Sequence, residues 1–303
     1  MGTEHTHGPP TGHAGPRYRR RLGVAWALTF AFFGVELTVG IWSRSLALIS
    51  DAGHMAADVI ALSAALFAFR YAVREDTTGT KTFGNYRAEI LASGLTVLIM
   101  LGIGAYTAVA AFGRIGAEAH VASTPMLVVG AIGLAVNVAA IGLLRAGAHE
   151  SLNVRGAYLE VVADAAGSVG VMVAAILIAW TGDAVWDTIV AVAIATFVVI
   201  RAVTLGRQVL AVLGQHAPAG MNAHQVEAEL RGLDGVRDVH DLHLWTLTSG
   251  MHVATAHLVT EDAADHHGVL DAASDLLRER YDLEHATLQV ESADHTHCEE
   301  ADW

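Results

Sequence analysis

The sequence has little cysteine, little basic charge and few charged residues of any kind. Cys298 is the only cysteine among 303 residues, which excludes an intrachain disulfide and an all-thiolate metal site within one chain. Lysine and arginine number 18 against 31 acidic residues, and the net charge of −13 argues against nucleic acid as a partner. Only 16% of the residues are charged while 53% are apolar, a balance typical of a membrane protein.

Long apolar stretches predict membrane-spanning helices. A helix needs about 20 residues to cross a bilayer. Stretches of this length are 22–43, 47–70, 88–112, 125–145, 156–180 and 185–205. We therefore predict a polytopic α-helical membrane protein in which residues 18–207 form six transmembrane helices. Residues 1–17 precede them as a His-containing tail without the pattern of a cleaved signal peptide.

The distribution of basic residues predicts the orientation of these helices in the lipid membrane. Arginines are concentrated before the first span, and further basic residues lie in the second and fourth connections. The opposite side has only Arg44 and Arg114. By the positive-inside rule, both termini are expected in the cytoplasm.

Beyond about residue 208 the composition becomes that of a small soluble domain. Helical patterns cover 222–233 and 263–281, and alternating patterns typical of strands cover 236–247, 251–260 and 285–291. The order αββαβ predicts an α+β domain over residues 208–292, with its helices on one face of the sheet. Residues 293–303 form a second tail that contains His and Cys.

Ionisable residues within the predicted spans form two pairs of equal spacing. His54 and Asp58 lie four residues apart in the second span, as do Glu160 and Asp164 in the fifth. Residues four apart share one helical face. Two such faces that meet offer four ligands, the number that a tetrahedral Zn2+ site uses.

The alternative for these four residues is a structural one, in which they make interhelical hydrogen bonds or a buried His–carboxylate pair. With His54 as the only internal cation expected, however, three carboxylates leave excess negative charge in the membrane. A divalent metal ion or protons would offset that charge. We therefore predict a metal transport site built by His54, Asp58, Glu160 and Asp164.

The soluble domain contains a second group of candidate metal ligands. Nine histidines lie between residues 216 and 285. His240 has plausible companions in His257, in His266 or His267, and in Glu291. On a regular strand His240 and His243 point to opposite faces, so they can share a site only if the strand bends. The alternative is that these are ordinary surface histidines. The two tails have two alternative interpretations: they are loose metal-capture segments, or they are ordinary solvated chain.

Four segments, in this order along the chain, carry a family resemblance: Ser45–His54 with Asp58, Thr82–Glu89, Leu152–Leu159 and Val239–Gly250. Together they make the sequence resemble the cation diffusion facilitator family, of the bacterial zinc/cadmium/cobalt efflux kind. The resemblance implies a homodimer, six spans and a ferredoxin-like cytoplasmic domain that pairs across the dimer and can bind extra metal. The Ala- and Gly-rich composition suggests a bacterial protein, and we therefore expect it in the cell (inner) membrane. The resemblance further implies export of metal in exchange for protons by alternating access.

Position by position, the resemblance matches His54, Asp58 and Asp164 to the family's metal ligands. Glu160 stands where zinc members usually have histidine. Zn2+ is the first expected cargo, while the harder site that Glu160 creates makes Mn2+, Fe2+ or Co2+ the alternatives. A further family site between spans two and three uses histidines, and 71–87 contains none. We expect that site to be absent.

Two other classes of protein also collect His and carboxylates at helical spacing. A membrane metallohydrolase is disfavoured because no His-Glu-x-x-His sequence and no activated nucleophile accompany the pairs. A membrane metal sensor would use the histidine-rich domain as its working part. The position of the pairs within the spans favours a transporter, and we expect no enzymatic activity.

Overall fold

The computed structural model describes residues 16–71, 83–84, 86–115, 119–145, 152–261 and 265–292. Its long helices are α1 (Pro16–Ser43), α2 (Leu46–Tyr71), α3 (Arg87–Gly113), α4 (Ser123–Leu144), α5 (Leu152–Thr181) and α6 (Val185–Leu213). The elements that follow are α7 (Ala223–Arg231), β1 (Val236–Thr248), β2 (Met251–Thr260), α8 (His266–Tyr281) and β3 (His285–Ser292). Two compact units result, one composed mainly of the long helices and one that contains the sheet.

The helical unit has the surface of a membrane protein. Within the described residues, five helices contain apolar windows long enough to cross a bilayer: Trp26–Ser43, Arg87–Gly113, Ser123–Gly142, Tyr158–Thr181 and Val185–Leu213. Large apolar side chains such as Trp42, Phe112 and Trp180 are more than three quarters exposed. Such exposure suits lipid tails, which are as apolar as the side chains. The predicted helical membrane domain is confirmed with five candidate spans; α2 is not among these five.

Small residues let the helices of this unit approach closely. A Cβ atom added at Gly130 on α4 would lie 2.9 Å from Met172 Cγ on α5. A Cβ atom added at Gly167 on α5 would lie 3.1 Å from Asp51 Oδ1 on α2. Glycine at these positions therefore brings α5 against both neighbours, as membrane helix packing requires.

A buried carboxylate from α6 caps the beginning of α2. Asp187 Oδ1 accepts hydrogen bonds from the Ser45 hydroxyl at 2.6 Å and from the Ala47 N–H at 3.1 Å. Its Oδ2 accepts from the Leu46 N–H at 2.7 Å and from the Arg114 guanidinium at 2.8 Å. The first N–H groups of a helix have no partner within the helix, and negative charge there is favoured by the helix dipole. Asp187 thus fixes the start of the helix that carries His54.

The second unit contains a three-stranded sheet. Strand β2 lies in the middle, antiparallel to β1 and parallel to β3. Helices α7 and α8 contribute Val226, Leu230 and Leu277 to one core that includes Ala256 and Leu258 of the sheet. The described elements follow the predicted order αββαβ, and the C-terminal α/β domain is confirmed.

Strand β1 bends at Asp241. His240 pairs with His257 and His243 pairs with Thr255, so β1 has one more residue than β2 over this interval. The extra residue makes a β-bulge, and Asp241 adopts a φ of 55°, in the left-handed region that aspartate tolerates better than most residues. The bend that a site shared by His240 and His243 would need is therefore present, but His243 is not among the candidate ligands that the structure groups with His240.

Candidate metal centres

Three of the four predicted membrane ligands lie together. His54 and Asp58 on α2 and Asp164 on α5 each offer a ligand atom, and these atoms lie within 4.8 Å of one another. The Nε2 atom of His54 is 3.0 Å from Asp164 Oδ1. His54 is buried, with 4% of its surface exposed. One imidazole and two carboxylates on facing helices form a set of donors that a divalent transition metal accepts.

Glu160, the fourth predicted ligand, has a different partner. Its carboxylate Oε1 is ion-paired with Nη2 of Arg201 on α6, and Glu160 is not part of the three-residue group. The other guanidinium nitrogen, Nη1 of Arg201, lies 2.9 Å from Nε2 of His54. Arg201 therefore links the predicted ligands of α2 and α5 to α6.

The expectation that His54 is the only internal cation is wrong, because Arg201 is a second one and stays charged. Arg201 lies inside the predicted sixth span of 185–205. A charge at that position is costly and by default functional. Its charge within an apolar span is the feature of the sequence that indicates a functional role, as it is for the two pairs in the second and fifth spans.

A second carboxyl pair lies deeper in the fold of the same unit. Glu36 on α1 and Asp51 on α2 are 2% and 8% exposed. Asp51 is three residues before His54, about one helical turn away. A buried carboxyl group therefore lies one turn from His54 on the same helix, and a second buried carboxyl group lies on α1.

In the α/β domain, His240, His257 and Glu291 offer ligand atoms within 4.8 Å of one another. His257 Nδ1 is 2.9 Å from Glu291 Oε1, and His240 Nε2 is 3.3 Å from Glu291 Oε2. The two imidazole rings meet edge to face with centroids 5.0 Å apart. Glu291 is buried, so a carboxylate and two imidazoles converge at a protected position on three adjacent strands.

The fourth predicted ligand of this group, His267, does not belong to it among the described residues. His267 lies at the beginning of α8, where its backbone N–H donates to Asp265 Oδ1 at 3.1 Å. Asp241 comes closer, since its Oδ2 lies 3.9 Å from His257 Nε2 and its Oδ1 lies 3.1 Å from His243 Nε2. Sequence reasoning missed Asp241 because a regular strand would turn it away. Residues 1–15, 72–82 and 293–303, which include the histidines of both predicted tails, lie outside the described residues.

The structure thus combines helices of membrane-crossing length with two groups of candidate metal ligands, one between α2 and α5 and one in an α/β domain. This combination indicates a membrane protein that handles metal cations. Comparisons with known proteins agree. A family model described as the cation efflux transmembrane domain matches residues 22–213, and one described as the cation efflux protein cytoplasmic domain matches 218–293. The chain belongs to the cation diffusion facilitator family. Members of this family are transporters, so the predicted transporter, rather than an enzyme, is confirmed.

Similar proteins match over nearly their whole length. The metal cation efflux system protein CzcD of Cupriavidus metallidurans is 40% identical over 100% of this chain and 93% of its own. The cadmium, cobalt and zinc/H(+)-K(+) antiporter of Bacillus subtilis is 32% identical over 92% of this chain and 91% of its own. The zinc transporter ZitB of Escherichia coli is 33% identical over 90% of this chain and 87% of its own.

One solved structure also matches part of the chain. The metal-bound C-terminal domain of the CzcD transporter from Cupriavidus metallidurans is 35% identical over 23% of this chain and 99% of its own, with a TM-score of 0.23.

Proposed function

We propose that this protein exports a divalent metal ion from the cytoplasm in exchange for protons, with Zn2+ as the leading cargo. The observation that carries the proposal is the convergence of His54 and Asp58 on α2 with Asp164 on α5. Similar proteins named for zinc, cadmium and cobalt transport, one of them an antiporter with protons, support the same cargo class and coupling.

Coupling follows from competition for the same atoms. A carboxylate or imidazole must be deprotonated to coordinate a metal, so metal binding releases protons and protonation releases metal. In the inward-facing state His54, Asp58 and Asp164 take the metal from the cytoplasm, and in the outward-facing state incoming protons displace it. Glu160, the fourth predicted ligand, completes the set when its carboxylate leaves Arg201.

The donor set leaves the cargo open to harder metals. One imidazole with carboxylates suits Zn2+, but it is also a set that Mn2+, Fe2+ and Co2+ accept. Glu160 in place of the usual histidine increases the oxygen character of the site. The alternative proposal is therefore the same transport cycle with Mn2+, Fe2+ or Co2+ as cargo.

The α/β domain supplies a second metal site in this proposal. His240, His257 and Glu291 hold a resident Zn2+, and Asp241 is the best-placed additional ligand. His267 stays a prediction, since α8 would have to bring its side chain to the group. The match to a family model for the cytoplasmic domain, whose name refers to a dimer, supports a homodimer in which this domain pairs.

We further propose six membrane crossings, with α2 as the sixth and both termini in the cytoplasm. Helix α2 has 26 residues, enough to cross a bilayer. The domain boundaries proposed are 1–17 for the first tail, 18–207 for the membrane domain, 208–292 for a ferredoxin-like cytoplasmic domain and 293–303 for the second tail. The cell (inner) membrane is the proposed location.

Transport into proteoliposomes tests the proposal. We expect uptake of Zn2+, and of Co2+ or Cd2+ to a lesser extent, that depends on an acidic lumen and is lost in Asp58→Asn and Asp164→Asn. Asp183→Asn, which changes an exposed carboxylate that accepts a hydrogen bond from the Val185 N–H, is the matched control and should transport normally. Flux retained in Asp58→Asn or Asp164→Asn refutes the site. Binding of metal without any flux supports a sensor instead.

A further inference from the structure

Arg201 lies where a metal ion is expected to lie. Its guanidinium contacts His54 Nε2 through Nη1 and Glu160 Oε1 through Nη2. Both contacted atoms belong to residues predicted as metal ligands. Phe197, one turn earlier on α6, supports this position: the guanidinium carbon is 5.9 Å from the centre of the Phe197 ring, and the same ring meets the His54 ring edge to face.

The contact with His54 excludes metal coordination by the same nitrogen. An arginine N–H can only donate, so a hydrogen bond from Arg201 Nη1 uses the lone pair of His54 Nε2. In the other tautomer Nε2 carries the proton and donates to Asp164 Oδ1 at 3.0 Å, and Arg201 only occupies the space next to it. A metal ion bound at Nε2 uses the Nε2 lone pair as well. The same holds for the Glu160 oxygen, because a carboxylate oxygen held in an ion pair must exchange the guanidinium for the metal. Arg201 and the metal ion therefore compete for the same two ligands.

We propose that Arg201 is the resident cation of the empty metal centre: it neutralises Glu160 and occupies His54 until a metal ion displaces it, and it returns when the metal leaves. This inference rests on the proposed transport function. It gives the empty carrier a way to keep several carboxylates in the membrane, since an uncompensated buried charge is strongly destabilising. It also makes release easier, because the departing metal is replaced by a tethered positive charge.

The competing explanation is that Arg201 only holds α6 against α2 and α5. The two explanations predict opposite changes in metal affinity. Removing a competitor strengthens metal binding, whereas loosening a helix contact weakens it. Affinity at the membrane site therefore separates a resident cation from a structural clamp.

The experiment is Co2+ binding to the full-length protein in detergent micelles, with His240→Ala and His257→Ala present in all samples to disable the second metal group. Binding that depends on Asp164 is taken as the difference from Asp164→Asn. We expect Arg201→Gln to bind Co2+ at least about ten-fold more tightly than the parent, a change equivalent to about 1.4 kcal/mol. Turnover at saturating metal should fall, since release is slowed, and Arg201→Lys should lie between the two.

Equal or weaker binding by a folded Arg201→Gln protein overturns the inference. If that variant fails to fold, two variants decide the question: Glu160→Gln alone, and Glu160→Gln combined with Arg201→Gln. Replacing both members of this half-buried ion pair by neutral groups leaves no charge unpaired. The double variant should bind Co2+ more tightly than Glu160→Gln alone, because removal of Arg201 frees His54. Equal Co2+ affinity of these two variants rejects the proposal. Failure of the proposed function looks different: the parent and Asp164→Asn then bind Co2+ alike.

Discussion

Replacing Asp187 should destabilise the helical unit more than any exposed acidic residue. Asp187 is fully buried and accepts four hydrogen bonds, two of them from backbone N–H groups of α2. Loss of a helix cap alone costs about 1 kcal/mol. Asp187→Ala also leaves the partly buried Arg114 without its carboxylate, and breaking one side of a buried ion pair costs about 3 to 5 kcal/mol. We expect a total loss near the upper end of that range.

Unfolding in detergent micelles, followed by heating or by a denaturant series, measures this loss. Ser45→Ala removes one of the four hydrogen bonds and should cost about 1 kcal/mol. Asp183→Ala, at an exposed carboxylate in the preceding turn, is the control and should be close to neutral. If Asp187→Ala destabilises the protein no more than Ser45→Ala, the carboxylate does not hold α2.

A double variant isolates the charge. Arg114→Met combined with Asp187→Ala removes both members of the ion pair, so no charge is left unpaired. The double variant should be more stable than Asp187→Ala alone, while the missing α2 cap keeps it below the parent. Simple addition of the two single effects would show that Arg114 and Asp187 do not act as a pair.

Three further predictions concern metal. Gly167→Ala should slow transport and lower stability because its Cβ would lie 3.1 Å from Asp51 Oδ1, whereas Gly102→Ala, with no atom within 4 Å of the added Cβ, should leave flux unchanged in the same vesicles. His257→Ala should lower the number of Zn2+ ions bound per chain in a calorimetric titration by one without abolishing flux; an unchanged stoichiometry would reject the second site. Glu160→His should raise the preference for Zn2+ over Mn2+ in competition uptake, and an unchanged ratio would show that position 160 does not set selectivity.

The sequence predicted the elements of the fold because its hydropathy pattern directly reports which segments suit lipid and which suit a small core. The membrane helices and the αββαβ order both follow from local periodicity. Pairings between distant residues do not follow from it. Asp187 caps α2 across more than a hundred residues of sequence, and nothing near position 187 indicates a partner at Ser45. Asp241 approaches His257 only because β1 contains a bulge, which alternation alone could not place.

The candidate site shows the same division between local spacing and tertiary contact. Four-residue spacing brought His54 and Asp58 onto one helical face, and the structure places Asp164 against them. Glu160 has the same spacing to Asp164, yet its carboxylate lies with Arg201, because α6 supplies a cation within reach. Which carboxylates can bind metal therefore depends on the charges that all helices of the bundle bring to the site, and not on the spacing along one helix. The Glu160 oxygen that is paired with Arg201 is available to metal only through exchange, so we expect Arg201 to lower the affinity of the centre for its cargo.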